Sequence, residues 1–282
     1  MREIAWYNVV LSTIEDARIP ANDRAFYFGD GIYDVATVRK KVCFALEDHL
    51  DRFFNNARLL RLNLKQTREE VREICLGLLE QLDDGIEEAV LYFQASRGTA
   101  PRGHAFPEQG YANLYFTLKP AAFKKFGTEV SAILKEDIRF YMCHIKTLNL
   151  LPNVLAQQEA KEKGCYETIL HRGDRVTEGS HSTVAYFKDG IFCTPPADEL
   201  ILPSITRKHY VALCEKIGIP VRIAPFTVEE LLNADEIVIM STTALMMRCT
   251  TVDGKKVGGK DPAVLAKVEA AYKNKILAET ER

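Results

Sequence analysis

The residue with the greatest chemical potential in this sequence is Lys146, in the segment 137–149, Asp-Ile-Arg-Phe-Tyr-Met-Cys-His-Ile-Lys-Thr-Leu-Asn. Every second residue from 138 to 146 falls on one face, and this period predicts a β-strand. Residues 148 to about 163 then predict a helix that ends at Gly164. Desolvation of a lysine at the inner end of a strand favours the neutral amine, which is the nucleophilic and Schiff-base-forming species. Taken alone, a lysine at a strand end that reaches solvent is the commoner case.

A lysine-centred cofactor site also needs groups that bind the charged tail of a cofactor. Ser204 begins a predicted helix, and the backbone N–H groups at its start, with a hydroxyl, form a natural phosphate site. The hydroxyl cluster 241–243 follows the apolar run 236–240 and offers a second site of this kind. Read separately, each segment is more often an ordinary cap or strand-end turn.

Two further segments carry charge among small residues. The loop 97–104, Arg-Gly-Thr-Ala-Pro-Arg-Gly-His, presents Arg102 and His104, whose N–H groups could bind a carboxylate; a solvated basic loop is the alternative. Glu178 stands among small residues in 176–183. If buried, its carboxylate requires a cation such as a protonated pyridine nitrogen, whereas an exposed loop glutamate requires none.

Four segments together, and in this order, resemble the class IV aminotransferases, which are fold-type-IV pyridoxal-phosphate enzymes. Within that family the resemblance is to the bacterial branch that acts on D-amino acids, and it extends from about Tyr7 to the turn at residue 254. The segments are Asp23-Arg24 with Phe28-Gly29-Asp30-Gly31-Ile32-Tyr33, the loop 97–104, Ile145-Lys146-Thr147-Leu148-Asn149-Leu150-Leu151, and Val176-Thr177-Glu178-Gly179-Ser180.

The resemblance implies a cofactor, pyridoxal 5'-phosphate, and a role for each matching residue. Lys146 would form the internal aldimine and move the proton at the substrate α-carbon. Glu178 would pair with the pyridinium nitrogen, and Leu202 would pack against the ring. The residues that match the phosphate site are Arg52, Ile205, Thr206 and Thr242.

The same resemblance implies that Tyr33, Arg102 and His104 bind the substrate α-carboxylate. In the family the arginine and histidine come from the second subunit, so a homodimer with shared active sites is expected. The expected reaction is transamination between a D-amino acid, such as D-alanine or D-glutamate, and a 2-oxo acid, such as 2-oxoglutarate or pyruvate. Two departures from the family pattern, His181-Ser182-Thr183 and Ser204, leave the geometry around the cofactor open.

Other functions of the same scaffold remain as alternatives. They are a branched-chain L-amino acid aminotransferase, which Arg102 and His104 disfavour, an (R)-amine transaminase and a 4-amino-4-deoxychorismate lyase. A cofactor-binding protein without turnover is a further alternative from a different class.

The bulk composition limits the cellular setting. The net charge of −2 gives no general attraction to nucleic acid or to anionic membranes. Seven scattered cysteines without a C-x-x-C pair argue against a disulfide framework or a zinc site, and no other metal site is expected. With no long apolar run and no secretory signal at the N-terminus, the protein is expected to be soluble and cytoplasmic.

These residues need a scaffold of both helices and strands, and the pattern predicts an α+β fold with two domains. Residues 1–118 predict a smaller N-terminal domain, with strands at 32–38, 90–95 and 112–118. A strand that ends at a proline predicts a linker over 119–122. Residues 123–282 predict a larger C-terminal domain that carries the cofactor lysine.

Overall fold

The computed structural model of the protein describes residues 1–108 and 110–281. Helices and strands both contribute, so the α+β class is confirmed. The chain forms two compact units. Unit 1 comprises residues 1–122, the short segment 145–149 and the chain end from 279, and unit 2 comprises residues 123–144 and 150–278.

Unit 1 is built on a six-stranded antiparallel sheet with the strand order β2-β1-β6-β5-β3-β4. Its strands are β1 (Ile4–Tyr7), β2 (Val10–Ser12), β3 (Gly31–Arg39), β4 (Val42–Cys43), β5 (Glu88–Ser96) and β6 (Asn113–Pro120). Its helices are α1 (Arg24–Phe28), α2 (Leu46–Leu59) and α3 (Arg68–Glu80).

The core of unit 1 lies between the sheet and the apolar faces of α2 and α3. On β5, alternate residues are buried, as expected for a strand with one face on a core. Phe53 of α2 meets Phe93 of β5 with ring centroids 5.0 Å apart, and Phe93 stacks on Phe116 of β6. The aromatic contacts fix α2 on the sheet, and α2 carries Arg52.

Segment 145–149 is attached to β3 of unit 1 by backbone hydrogen bonds. The Tyr33 N–H donates to the Lys146 carbonyl at 3.0 Å, and the Leu148 N–H donates to the Gly31 carbonyl at 3.0 Å. A side chain at Gly31 would collide with the Ala95 carbonyl and with Leu148, so only glycine permits this approach. The sequence placed Lys146 in the C-terminal domain, whereas these bonds place it in unit 1.

Unit 2 is built on a nine-stranded mixed sheet with the order β12-β11-β10-β13-β14-β7-β8-β9, and β15 pairs with β14. The strands are β7 (Glu129–Glu136), β8 (Glu167–Arg172), β9 (Arg175–Gly179), β10 (Thr183–Lys188), β11 (Ile191–Thr194), β12 (Val221–Ile223), β13 (Glu236–Ser241), β14 (Leu245–Val252) and β15 (Lys255–Lys256). The remaining helices are α4 (Leu151–Glu162), α5 (Ile205–Lys216), α6 (Val228–Leu232) and α7 (Pro262–Thr280).

The strand predicted over 138–146 is wrong, because β7 ends at Glu136. The Asp137 carboxylate accepts the Arg139 N–H at 3.0 Å, and a side chain that captures the backbone two residues on turns the chain. The alternating apolar residues are exposed in unit 2, with Ile138 at 68%, Phe140 at 52% and Met142 at 45%. Their period of two therefore does not mark the buried face of a strand.

The helix predictions in unit 2 are confirmed with small shifts at their ends. The helix expected from residue 148 begins at Leu151 and ends at Glu162. The helix that Ser204 caps covers Ile205–Lys216, and the Ser204 hydroxyl accepts the Arg207 N–H at 3.2 Å. Among the described residues, no helix has the length and apolar character needed to cross a membrane.

Candidate active site

In unit 1, Lys146 lies beside the ring of Tyr33. The Lys146 Nζ is 4.3 Å from the centroid of the Tyr33 ring, within the range of a cation–π contact. Tyr33 stacks in turn on Tyr92 of β5, with ring centroids 5.6 Å apart. The Asn149 side chain donates to the Gly29 carbonyl at 2.8 Å, which ties the segment after the lysine to the end of α1. The structure thus brings together two of the predicted site residues, Lys146 and Tyr33.

Arg52 is oriented by a buried carboxylate, Asp34, in the middle of β3. Two guanidinium nitrogens of Arg52 donate to the two oxygens of Asp34 at 2.8 and 2.7 Å, and His49 Nδ1 lies 2.8 Å from the same carboxylate. Burial alone would raise the pKa of Asp34, but Arg52 and His49 hold it well below its usual range. Burial lowers the pKa of His49, which favours its neutral form. Asp34 therefore fixes the direction of the Arg52 guanidinium.

Arg102 and His104 form a second group of predicted residues in unit 1, around the ring of Phe28. The Arg102 guanidinium carbon lies 5.1 Å from the centroid of this ring, and the His104 ring lies 5.3 Å from it. Both side chains are exposed in the single chain. The two predicted carboxylate-binding residues are therefore neighbours that share one aromatic contact.

Glu178 is the buried acid of unit 2 and stands near the end of β9. Arg139 Nη1 donates to one of its oxygens, and the Leu202 N–H donates to the other at 3.2 Å. Burial raises the pKa of Glu178, and the Arg139 contact opposes this shift. The Asp137 carboxylate accepts two bonds from the same guanidinium, at 2.9 and 2.8 Å. The predicted residues Glu178 and Leu202 thus lie together.

The predicted phosphate residues of unit 2 lie at a helix start and in a tight turn. The hydroxyl of Ser204 serves the Arg207 N–H, and the N–H groups of Ile205 and Thr206 belong to the first turn of α5, which has no intrahelical acceptors. Thr242 lies in the turn between β13 and β14, where the Ser241 hydroxyl accepts the Ala244 N–H at 3.1 Å. N–H groups at a helix start favour an anion.

The segment 181–183, which departs from the family pattern, contacts a second buried acid of unit 2, Glu167, through His181 and Ser182. Its carboxylate accepts the hydroxyls of Ser180 and Ser182 at 2.5 and 2.6 Å and lies 3.0 Å from His181 Nδ1. Burial would raise the pKa of Glu167, but His181 and the two serines lower it. The buried Glu167 carboxylate therefore has three side-chain partners, the His181 ring and the hydroxyls of Ser180 and Ser182.

The sequence interpretation missed two residues that orient the predicted ones, Asp34 and Arg139. Asp34 interrupts an otherwise apolar strand, and an acid in a buried strand indicates a cation partner. The role of Arg139 was not predicted, because the strand predicted over 138–146 gave this residue no partner. Its signal was the spacing Asp137-Ile138-Arg139 after the end of β7, which suits a turn held by its own ion pair.

Comparison with known proteins gives a consistent family. The pattern of the amino-transferase class IV family matches residues 31–252. The D-alanine aminotransferase of Listeria monocytogenes is 38% identical over 270 residues, which cover 93% of this chain and 92% of that protein. The D-alanine aminotransferase of Bacillus licheniformis is 37% identical over 281 residues, which cover 97% of each protein.

Solved structures agree at the level of the fold. The branched-chain amino acid aminotransferase of Escherichia coli has a TM-score of 0.90 at 23% identity and covers 100% of this chain and 97% of its own. A fold IV transaminase from Curtobacterium pusillum has a TM-score of 0.82 at 21% identity and covers 95% of this chain and 98% of its own. With a family pattern over most of its length and relatives above one-third identity, this chain belongs to the class IV aminotransferases and has their fold-type-IV architecture.

Proposed function

We propose that this aminotransferase moves the amino group of D-amino acids, such as D-alanine and D-glutamate, to 2-oxo acids such as 2-oxoglutarate and pyruvate. The observation that carries this proposal is the paired placement of Arg102 and His104 around Phe28. A guanidinium beside an imidazole provides several N–H donors for one carboxylate. The curated D-alanine aminotransferases with 37–38% identity support the same substrate class.

The cofactor is pyridoxal 5'-phosphate, and the chemistry of the donor groups fits it. The chain offers a primary amine for its aldehyde, a buried acid for its ring nitrogen and first-turn N–H groups for its phosphate. When bound, this cofactor supplies an electron sink for the bond that breaks at the substrate α-carbon. Lys146 would hold it covalently through Nζ.

Lys146 also has the role of proton carrier. When its Nζ is free, the amine of Lys146 would take the proton from the substrate α-carbon and pass it to the cofactor carbon to which Nζ had been joined. The Tyr33 ring, 4.3 Å from Nζ, limits the directions in which the amine can point. A fixed direction makes the proton transfer stereospecific.

Glu178 would serve the ring nitrogen of the cofactor, which its carboxylate would hold in the protonated state. Arg139 and the Leu202 N–H occupy one oxygen each and fix the plane of the carboxylate. Leu202 would pack on the ring. The phosphate would be bound by the N–H groups of Ile205 and Thr206, with the remaining donors supplied by Thr242 and Arg52.

We further propose a homodimer in which Arg102 and His104 serve the active site of the partner subunit. Unit 2 exposes several large apolar side chains, as expected of a chain with a partner interface. Among them are Ile138, Phe140, Tyr141, Met142, Leu151, Val154 and Leu155. Mixed dimers of Lys146→Ala and Arg102→Leu chains should regain activity, because one of their two sites keeps both residues. If mixing restores nothing, Arg102 does not act across subunits.

The cellular setting follows from the same proposal. The substrates are small amino acids and 2-oxo acids, and the net charge of −2 gives no general attraction to nucleic acid or to an anionic membrane. A cytoplasmic location suits the seven cysteines, which are all free.

The test is a single-turnover titration of the cofactor-loaded protein with D-alanine and, separately, with L-leucine, followed by cofactor absorbance. The proposal predicts a stoichiometric spectral change with D-alanine and none with L-leucine. A change with L-leucine alone would make the protein a branched-chain L-amino acid enzyme. A change with neither would direct attention to (R)-amines and to the lyase substrate.

A further inference from the structure

We infer that Arg24, Asp30 and Phe28 form a clamp that sets the positions of Arg102 and His104, which makes Arg24 a positioning residue for carboxylate binding. The inference rests on the proposed function for the role of Arg102 and His104. The contacts themselves all lie within unit 1.

Arg24 holds the loop that carries His104 by its backbone. The Arg24 side chain is buried, and its Nε donates to the Asp30 carboxylate at 2.8 Å. Its two terminal nitrogens donate to three consecutive carbonyls, those of Gly103 at 2.6 Å, His104 at 3.4 Å and Ala105 at 3.3 Å. A planar guanidinium can serve an acid and several carbonyls at once, whereas an ammonium is a single point charge.

Asp30 anchors the clamp because it binds a second arginine, Arg97, at the start of the same loop. Arg97 Nε lies 2.9 and 3.1 Å from the two Asp30 oxygens. The Arg97 guanidinium lies 3.6 Å from the ring centroid of Phe106, at the far end of the loop, and donates to the Leu60 and Arg61 carbonyls. One carboxylate therefore orients two arginines that hold the loop at both ends.

Phe28 acts on the side chains instead of the backbone. The Arg24 guanidinium carbon lies 4.8 Å from its ring centroid, the Arg102 guanidinium carbon lies 5.1 Å away and the His104 ring lies 5.3 Å away. An exposed arginine has many rotamers, and immobilising such a side chain when a ligand binds reduces the affinity. The ring contact restricts Arg102 before the carboxylate arrives.

The clamp predicts an effect on carboxylate binding that is separate from the chemical step. Arg24 touches the loop and not the reacting atoms, so its loss should weaken the binding of substrate and transition state equally. Such a loss raises KM and leaves kcat nearly unchanged.

The test compares Arg24→Lys with Arg68→Lys, in the cofactor-loaded protein. Arg68 is a matched control, because it is a unit 1 arginine that also forms ion pairs, with Glu47 and Asp51, but lies on α3 and away from the loop. The probe is propionate, which has a carboxylate and no amine, and its dissociation constant is measured by calorimetry. Arg24→Lys should raise this constant, and the KM for D-alanine, about 10-fold, while Arg68→Lys changes neither.

A double variant separates a positioning role from a general loss of structure. If Arg24 acts through Arg102, adding Arg24→Lys to Arg102→Leu should raise the propionate dissociation constant little further. An equal rise in both backgrounds would overturn the inference, as would unchanged propionate binding in Arg24→Lys. Hydrogen exchange of residues 102–106 should increase in Arg24→Lys, and unchanged exchange would also contradict the clamp.

Phe28→Leu provides an independent variant if Arg24→Lys does not fold. It should raise the propionate dissociation constant about 3-fold, in keeping with the loss of one exposed cation–π contact; no rise would contradict the role of the ring. Failure of the proposed function gives a different result. If the wild-type protein binds propionate and Arg24→Lys weakens this binding, but D-alanine does not react, the clamp stands and D-amino acid transamination is refuted.

Discussion

The two units position their functional charges in opposite ways. In unit 1, acids orient cations: the buried Asp34 holds Arg52, and the partly buried Asp30 holds Arg24. In unit 2, a cation orients the functional acid, because Arg139 holds Glu178. Each arrangement leaves one kind of group fixed in direction, a guanidinium in unit 1 and a carboxylate in unit 2. The division matches the chemistry proposed for them, since the phosphate and the substrate carboxylate need cations and a pyridinium nitrogen needs an anion.

A buried ion pair fixes the direction of a functional charged group better than an exposed pair does. An exposed pair contributes little and leaves both side chains free to move. A buried pair contributes little net stability as well, but removal of one partner leaves a charge without compensation. We therefore expect substitutions of the orienting residues to reveal the difference between the two units.

The largest effect should come from Lys146, the residue proposed to hold the cofactor. Lys146→Ala should reduce turnover by about 10⁴-fold or more, because it removes both the covalent attachment and the proton carrier. The steady-state rate with D-alanine and 2-oxoglutarate measures this loss. Lys163→Ala is the control, since Lys163 is exposed and pairs only one helical turn away with Glu159. Full activity in Lys146→Ala would remove this lysine from the reaction.

The orienting acid of unit 1 should show the next largest effect, on stability. Asp34→Asn leaves the Arg52 cation buried without its carboxylate, which should reduce the free energy of unfolding by about 3–5 kcal/mol. Asp51→Asn, at an exposed pair with Arg68, should change it by less than about 1 kcal/mol. Urea unfolding at neutral pH distinguishes the two variants. Similar losses in both would contradict the role given to burial.

The contribution of Asp34 to the free energy of unfolding should also depend on pH. Its pKa in the folded protein lies below the ordinary value of 3.8, so its stabilising contribution is present above that pH and is lost as the pH falls further. The difference in unfolding free energy between wild type and Asp34→Asn should therefore shrink from about pH 5 to about pH 3. A difference that grows as the pH falls would contradict the direction of the shift.

The functional acid of unit 2 should affect catalysis more than stability. Glu178→Gln keeps the shape of the side chain and removes its charge, so kcat should fall about 10²- to 10³-fold, the usual cost of one lost electrostatic contact to a developing charge. Far-ultraviolet circular dichroism should not change, and the melting temperature should fall less than in Asp34→Asn, because Arg139 keeps its ion pair with Asp137. An unchanged kcat would mean that Glu178 does not sustain the protonated ring nitrogen.

The smallest of these effects should be at Arg102, an exposed residue of unit 1. Arg102→Leu should raise the KM for D-alanine about 10- to 150-fold, in line with about 1.5–3 kcal/mol for one charge-assisted hydrogen bond. Cofactor affinity, measured by fluorescence titration of the apoprotein, should stay the same. If KM does not change, the substrate carboxylate is bound elsewhere.

The sequence predicted the local features that have local causes. The helix start at Ser204 depends on a residue only three positions away, and the structure has the predicted cap. The α+β class followed from helical and strand periods that agree with the burial of their apolar faces. The resemblance of four motifs assigned predicted roles to Lys146 and Glu178, which periodicity alone left open.

The sequence failed where distant residues decide the structure. The alternation over 138–146 predicted a strand, but no strand forms there, because β7 ends at Glu136 and the chain turns at Asp137. The attachment of Lys146 to β3 depends on Gly31, more than a hundred positions earlier, where the absence of a side chain permits the approach. Arg24 and the carbonyls of 103–105 are about eighty positions apart, and no periodic pattern links them.

The central claim is that Lys146 carries the cofactor of a D-amino acid transaminase. Borohydride reduction of the cofactor-loaded protein, followed by peptide mass mapping, tests it directly when done with and without one equivalent of D-alanine or L-alanine. We expect the reduced cofactor on the Lys146 peptide without substrate, its loss after D-alanine and its retention after L-alanine. A label on another lysine, or equal loss with both enantiomers, would contradict the account.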